Sequence, residues 1–296
     1  MLDISGTGKI LGAEVRGIGL RRPLPESDRR AIMRALGRYG VLCFPEQDLE
    51  PAHLKAFSEK FGRLEINVAA NPEGTDHPEV MTLSNIVEDG KPIGLADAGQ
   101  DWHTDMSYSR EIAFANVLHA ITVPRRDGRA LGGTRFANMH AAYDALPDDF
   151  KLRFASTTAT HDFNKFWEEM RRRPGSTRAP LTDEQRRRKP PVQQPLFLTH
   201  PITRRKVLYA NPGYAVAIDG LPEDESEDVL AFLFSHQTKD EFVHTHEWTE
   251  GDVLMWDNIG TIHNANADYG PDTPRLIKRC QVQADRIFDE GPALSA

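Results

Sequence analysis

Apolar residues recur at helical spacing through Glu26–Tyr39, with Ile32 and Leu36 in register, and the pattern predicts a helix. Gly37 and Gly40 punctuate its end. The run Val41-Leu42-Cys43-Phe44, stopped by Pro45, then reads as a buried strand. Pro51 to Phe61 repeats the helical spacing through Leu54, Phe57 and Phe61. From Phe114 to Val123 the pattern turns β-like, and short strands are expected at 134–137, 207–210, 242–248, 253–256 and 276–282. A further helix is expected from Pro222 to His236, with acidic residues in the first turns where the helix dipole favours them. A helical start followed by many short strands indicates an α+β protein with a mainly β core.

Residues 163–192 break this pattern with Arg171-Arg172-Arg173 and Arg186-Arg187-Arg188-Lys189, and read as an insertion on the surface. Two readings stand side by side: a solvated charged loop, or a lid whose basic residues attract an anionic substrate. A chain of 296 residues without an internal repeat fits one domain, 1–296, carrying that insertion.

Composition narrows the function. The formal charge of −8 argues against a general nucleic-acid or anionic-membrane surface, so an anionic ligand must be met by local arginines. Cys43 and Cys280 are the only cysteines, which fits a reducing compartment and offers no disulfide framework or thiolate zinc cluster. No signal-peptide pattern opens the chain, and no stretch approaches the roughly 18 apolar residues of a membrane span, so a cytoplasmic protein is expected.

The candidate chemistry begins at Trp102-His103-Thr104-Asp105. In an extended segment the side chains of His103 and Asp105 leave one face and can reach one ion together. His263 supplies a third ligand candidate. Two histidines and a carboxylate leave roughly three positions of an octahedral metal open, the arrangement of non-haem Fe(II) oxygenases that hold a co-substrate and O2 together. Zinc competes for the same ligand set, although the helical His-Glu-X-X-His signature of many zinc hydrolases is missing. A rival pair, His244 and His246, has the same spacing within an ordinary half-exposed strand pattern. Farther on, Arg275 and Arg279 share a strand face with Ile277, and two guanidiniums on one face suit a dicarboxylate or another anion. A solvated arginine pair is the alternative.

Several motifs taken together resemble the taurine dioxygenase and 2,4-dichlorophenoxyacetate dioxygenase family of Fe(II)/2-oxoglutarate-dependent enzymes. They are Gly-Val-Leu-Cys-Phe-Pro from Gly40, Phe-Gly-Arg-Leu from Phe61, Trp-His-Thr-Asp, Gly132-Gly133-Thr134, His161-Asp162-Phe163, Thr-His-Pro-Ile-Thr from Thr199, Trp256-Asp257-Asn258, and His263 to Tyr269 running on to Arg279. The resemblance covers nearly the whole chain. It implies a double-stranded β-helix, or jelly roll, with flanking helices and the iron at one open end. It makes His103, Asp105 and His263 the iron ligands and the catalytic centre. It gives Thr134 and Arg275 to the distal carboxylate of 2-oxoglutarate, and Arg279 to the substrate's anionic group. The tract between His263 and Arg275 is one residue longer than in taurine dioxygenase, and the arginine assignment places the extra residue in the loop.

By the same resemblance the enzyme hydroxylates a substrate C–H with O2 while 2-oxoglutarate becomes succinate and CO2. Asn67 and Ala70 stand where the taurine enzyme is expected to have His and Tyr, and Gly99 where Asn is expected. Phe166, Trp167 and Tyr214 offer aromatic walls opposite an arginine. A small anionic substrate of aromatic or aryloxyalkanoate type is therefore expected, with Asn67 also facing it and an alkyl sulfonate or sulfate as the alternative. A zinc hydrolase or a non-catalytic metal-binding jelly roll is the alternative of another class. No nucleic-acid or membrane partner is expected, and a homo-oligomer is.

Overall fold

In the computed structural model, which describes residues 2–66, 76–96, 99–173, 176, 178–290 and 294, the first helix spans Glu26–Tyr39 and feeds the strand Val41–Phe44. Ile32, Met33 and Leu36 are buried on its inner side, and Gly40 ends it at φ 69°, where an L side chain would be strained. Gly37 does not punctuate the helix. It lies within it, because a Cβ there would stand 2.7 Å from Ile202 Cγ2 and close approach leaves no room for one. The second helix is shorter than its apolar spacing implies, Pro51–Ser58, with Phe61 continuing into the core beyond its end.

Seven strands form the largest sheet, in the spatial order Asp3–Gly6, Ala13–Arg16, Val41–Phe44, Val253–Asp257, Ala113–Thr122, Leu276–Gln283 and Met81–Ser84. Every neighbouring pair is antiparallel except Ala13–Arg16 with Val41–Phe44. A three-stranded sheet places Thr134–Asn138 between Val243–His246 and Thr261–Ala265. The stretch expected as one strand over 242–248 is only partly strand, since Phe242 closes a 3-10 turn and Trp248 turns into a buried cluster with Phe136 and Trp256. Similarly, the strand expected over 207–210 pairs only as Lys206–Leu208. The helix expected from Pro222 runs Glu223–Gln237 with Pro222 as its N-cap.

The stretch 163–192 is more than a surface insertion. Its first part is a helix, Phe163–Arg171, with Met170 buried. Val192–Pro195 then pairs with Thr158–His161, which pairs in turn with Ala215–Ile218. Only the middle, with helix Asp183–Arg188, is fully exposed. Within its basic run Arg186 pairs with Asp183 at 3.0 Å and Arg188 with Glu184 at 2.5 Å, so these two guanidiniums lie in ion pairs on a solvated helix face. Among the described residues, no helix is long and apolar enough to cross a membrane.

Candidate active site

Backbone pairing brings distant ligand candidates together. His103 and His263 exchange both backbone hydrogen bonds, His103 N to His263 O at 3.0 Å and His263 N to His103 O at 2.8 Å. His263 lies on the Thr261–Ala265 strand, opposite Phe136. Asp105 reaches the same point differently from the extended-segment expectation: His103 occupies an isolated bridge and Asp105 the turn that follows. Met106, buried and at φ 58°, drives that turn. The Nε2 atoms of His103 and His263 each stand 3.7 Å from an Asp105 carboxylate oxygen.

Asn258 holds the turn. Its side chain accepts from Asp105 N at 3.1 Å and donates to Asp105 O at 2.8 Å, and Thr104 Oγ1 donates to its carbonyl. Asn116 donates to Asn258 Oδ1 at 3.2 Å, and Gln281 donates to Asn116 at 3.1 Å. Sequence reasoning used Asn258 only as part of a motif and missed this role. On the other side, Gly213 packs so closely that a Cβ would stand 2.6 Å from His103 Cβ.

The electrostatics suit a cation. Burial raises the Asp105 pKa, but the Arg279 guanidinium and the two imidazoles outweigh it and hold the carboxyl below its ordinary value. Burial, with His103 alongside, keeps His263 neutral far below its ordinary value. His103 Nδ1 donates to Asp101 O at 2.8 Å, which turns Nε2 toward Asp105. Asp105 Oδ2 is buried without a hydrogen-bond partner, while Arg279 Nη1 approaches it at 3.5 Å. These three side chains offer ligand atoms all within 4.8 Å of one another, so a metal fits them.

Arg275 is 5% exposed, with its guanidinium over the Tyr269 ring, 5.4 Å from the centroid. A Cβ on Gly132 would stand 3.1 Å from that ring and 3.5 Å from Arg275 Nε, so Gly132 adjoins both groups. Thr134, buried two residues on, accepts from Trp248 Nε1 at 3.0 Å. Burial lowers the Arg275 pKa against the favourable Tyr269 neighbour.

Aromatic rings cover the His103 side. Phe166 lies 5.3 Å and Tyr214 6.3 Å from the His103 ring, and 5.1 Å from each other. Tyr108 joins at 4.7 Å from Tyr214. Trp167 stands farther out: it meets Phe163 at 6.0 Å, donates to Ala179 O at 2.8 Å and lies under Arg178. Asn67 and Ala70 lie outside the described residues. Two further groups complete the wall, Tyr108, which carried no sequence signal, and Lys189 of the basic run, whose ammonium lies 4.3 Å from the Phe163 and 5.1 Å from the Tyr108 ring centre.

Fold and cluster define a class: a mixed α+β protein whose sheets bring two histidines and a carboxylate to one point, beside a buried arginine. The family model described as "Taurine catabolism dioxygenase TauD, TfdA family" matches residues 3–281. The chain is 33% identical over 289 residues to the alpha-ketoglutarate-dependent 2,4-dichlorophenoxyacetate dioxygenase of Cupriavidus pinatubonensis, covering 94% of this chain and 96% of that one. It is 31% identical over 294 residues to the pentalenolactone F synthase of Streptomyces avermitilis, covering 96% and 93%. The crystal structure of AAD-2 in complex with Mn(II) and N-oxalylglycine superposes with a TM-score of 0.80 at 31% identity, over 96% of this chain and 98% of that one. The chain belongs to the TauD/TfdA family and is an Fe(II)/2-oxoglutarate-dependent dioxygenase.

Proposed function

We propose that the enzyme hydroxylates a C–H of a small anionic substrate with an aromatic body, of the aryloxyalkanoate type. The observation that carries this reading is the packing of Phe166, tilted, and Tyr214, edge-on, against the His103 ring, on a site where Arg279 also stands 3.5 Å from Asp105. Rings on one side and a guanidinium on another suit an aryl group joined to an acid. Phe166, Tyr214 and Tyr108 hold the aryl body, and Arg279 meets the acid end. Lys189 adds a second positive group at the rim. The 2,4-dichlorophenoxyacetate enzyme is a relative whose substrate has this form.

In this reading His103, Asp105 and His263 hold Fe(II), and Thr134 with Arg275 holds the distal carboxylate of 2-oxoglutarate. Bound there, iron and 2-oxoglutarate supply the oxidising chemistry with O2, giving succinate and CO2. The chain's part is to orient His103 through Asp101, fix Asp105 through Asn258, and cover the site from water with the rings. We read the seven-stranded and three-stranded sheets as the two walls of a jelly roll, and the chain as one domain, because its main apolar core runs from Ala13 to Leu294.

Anaerobic addition of Fe(II) and 2-oxoglutarate should produce a visible metal-to-ligand charge-transfer band, lost in Asp105→Ala while circular dichroism stays unchanged. Succinate release should then be screened across phenoxyacetates, phenoxypropionates, alkyl sulfonates and alkyl sulfates. Stimulation by aliphatic sulfonates or sulfates alone would sink the aromatic reading.

A further inference from the structure

Farther along the same face of the three-stranded sheet, at His246 opposite Thr134, lies a second ligand cluster. Cys43, His246 and Asp252 bring a thiol, an imidazole nitrogen and a carboxylate oxygen within 4.8 Å of one another. Each comes from a different part of the fold: Cys43 from the seven-stranded sheet, opposite Leu254, His246 from the three-stranded sheet, opposite Thr134, and Asp252 from the turn between them.

Burial and the Asp252 carboxylate, to which the Cys43 thiol bonds, raise the thiol pKa, so an ion would displace that proton, while the His246 ring nitrogen beside them is unbonded. The His246 ring stands edge-on to buried Trp248 at 5.0 Å and 89°. Asp252, 5% exposed, is fixed by Thr249 N donating to Oδ2 at 2.9 Å. His246 Nε2 lies 3.3 Å from Asp252 Oδ2, yet it is buried and makes no hydrogen bond. That spacing matches the edge of a tetrahedron of zinc ligands, roughly 3.3–3.8 Å for bonds of about 2.0–2.3 Å. His244, paired with His246 in the sequence, is excluded from the cluster. Its ring packs under Gly12, where a Cβ would stand 3.1 Å from Nε2.

A groove of about 800 Å³ opens beside the cluster, so an ion has a route in. Glu14, Glu46, Glu247 and Glu250 line it against Lys9 and Arg16, an acidic balance that favours a cation. The remaining His/Asp cluster, His140, His200 and Asp257, lacks this character. It is fully enclosed, His140 bonds Lys206 O, His200 Nδ1 accepts from Ile202 N and Thr203 N, and a Cβ on Gly260 would stand 2.2 Å from Asp257 Oδ2.

We propose that Cys43, His246 and Asp252 form a second metal site, for a divalent ion of the zinc class, that clips the two sheets together and leaves one position facing the groove. Thiolate and imidazole select zinc over magnesium or calcium, and zinc outranks Fe(II) for such ligands. The site is separate from the His103, Asp105 and His263 cluster, which contains no sulfur.

Cobalt(II) tests this, because sulfur ligation gives a near-ultraviolet charge-transfer band that histidine and carboxylate ligation does not. The chelator-treated full chain, titrated with Co(II), should show that band both as wild type and as His103→Ala, and lose it in Cys43→Ser. Its absence from wild type at saturation, or its survival in Cys43→Ser, would overturn the site. Zn(II) should also raise the Tm of His103→Ala but not of the His103→Ala/Cys43→Ser double variant. Should the serine variants fail to fold, alkylation of the wild-type protein decides the matter. Zn(II) should slow modification of Cys43 at least tenfold, whereas equal rates with and without Zn(II) would refute the proposal.

Discussion

Arg275→Met separates a co-substrate clamp from a structural arginine. The Arg275 side chain is buried, and its electrostatic environment is burial opposed by the Tyr269 phenol, with no carboxylate among the described residues pairing with it. A structural arginine at that depth would have an acidic partner. Truncating one member of a buried charge pair costs about 2–5 kcal/mol, so losing the clamp should raise the Kd for 2-oxoglutarate by roughly 30- to 4,000-fold. The protein without ligand should lose little stability, because the methionine stem keeps the packing and a desolvated, unpaired charge disappears. At a 2-oxoglutarate concentration of about 100 times the wild-type Kd, binding stabilises the native state by about 2.7 kcal/mol. Unfolding entropy of about 2.1 cal/mol/K per residue over 296 residues turns that into a rise in Tm of about 4 °C. Differential scanning fluorimetry of the Fe(II)-loaded proteins, with and without 2-oxoglutarate, should show this rise for wild type and at most about 1.4 °C for the variant. A variant that keeps the rise, or whose ligand-free Tm falls by more than about 4 °C, refutes the assignment.

Three further outcomes are expected. Gly213→Ala should weaken Fe(II) binding about 10- to 100-fold in calorimetric titration, since its Cβ would stand 2.6 Å from His103 Cβ and overpacking of this kind costs about 1–3 kcal/mol; unchanged affinity would show that the loop yields freely. Lys189→Met should raise KM for an aryloxyalkanoate about fivefold, the loss of roughly 1 kcal/mol, and leave the Kd for 2-oxoglutarate alone; an effect on the co-substrate instead would place Lys189 elsewhere in the reaction. Burial holds His161 down to about 3, with nearby Lys165 adding to it, and His140 down to about 4, with His200 adding to it. Both folded values lie below the unfolded value of 6.5, so their contribution is full above pH 6.5 and is lost as pH falls toward the folded values. At pH 5.5 the metal-free protein should be less stable than at pH 7 by roughly 1 kcal/mol per histidine, and urea midpoints that agree at the two pH values would contradict this.

The sequence made some of this structure legible, for identifiable reasons. Glu26–Tyr39 and Val41–Phe44 carry their own periodicity and stops, and both form over the expected residues. The helix pattern identified Gly37 as a glycine near an end, but only Ile202, far along the chain, explains it. Strands such as Asp3–Gly6, a mostly exposed edge, and Thr158–His161, the centre of its sheet, have no apolar alternation of their own and exist through their partners. His103 and Asp105 were visible as residue types at a suggestive spacing. Their geometry was not, because a turn at Met106 and the grip of Asn258 replace the extended segment. Tyr108 reaches the site by long-range packing, for which one sequence offers no periodic or motif signal, and Lys189 was legible only as one member of a basic run.

The site divides by the kind of element that carries each group, and one residue joins the two parts. His263 and Thr134 sit on paired strands, and Arg279 on a strand bonded to neighbours on both sides. Phe166 and Lys189 come instead from the 163–192 stretch, where the backbone is tied down by fewer partners and side chains can change with less cost to the core. That division fits relatives of nearly equal identity, 33% and 31%, that bear the names of a 2,4-dichlorophenoxyacetate dioxygenase and a pentalenolactone F synthase. The two parts meet at Asp101. Its carbonyl accepts from His103 Nδ1 at 2.8 Å, and its carboxylate pairs with Arg173 from the end of the 163–171 helix, which also holds Gln100. A shift of that helix would therefore bear on the ring orientation of His103, so the wall proposed to select the substrate would also act on a group proposed to hold the metal.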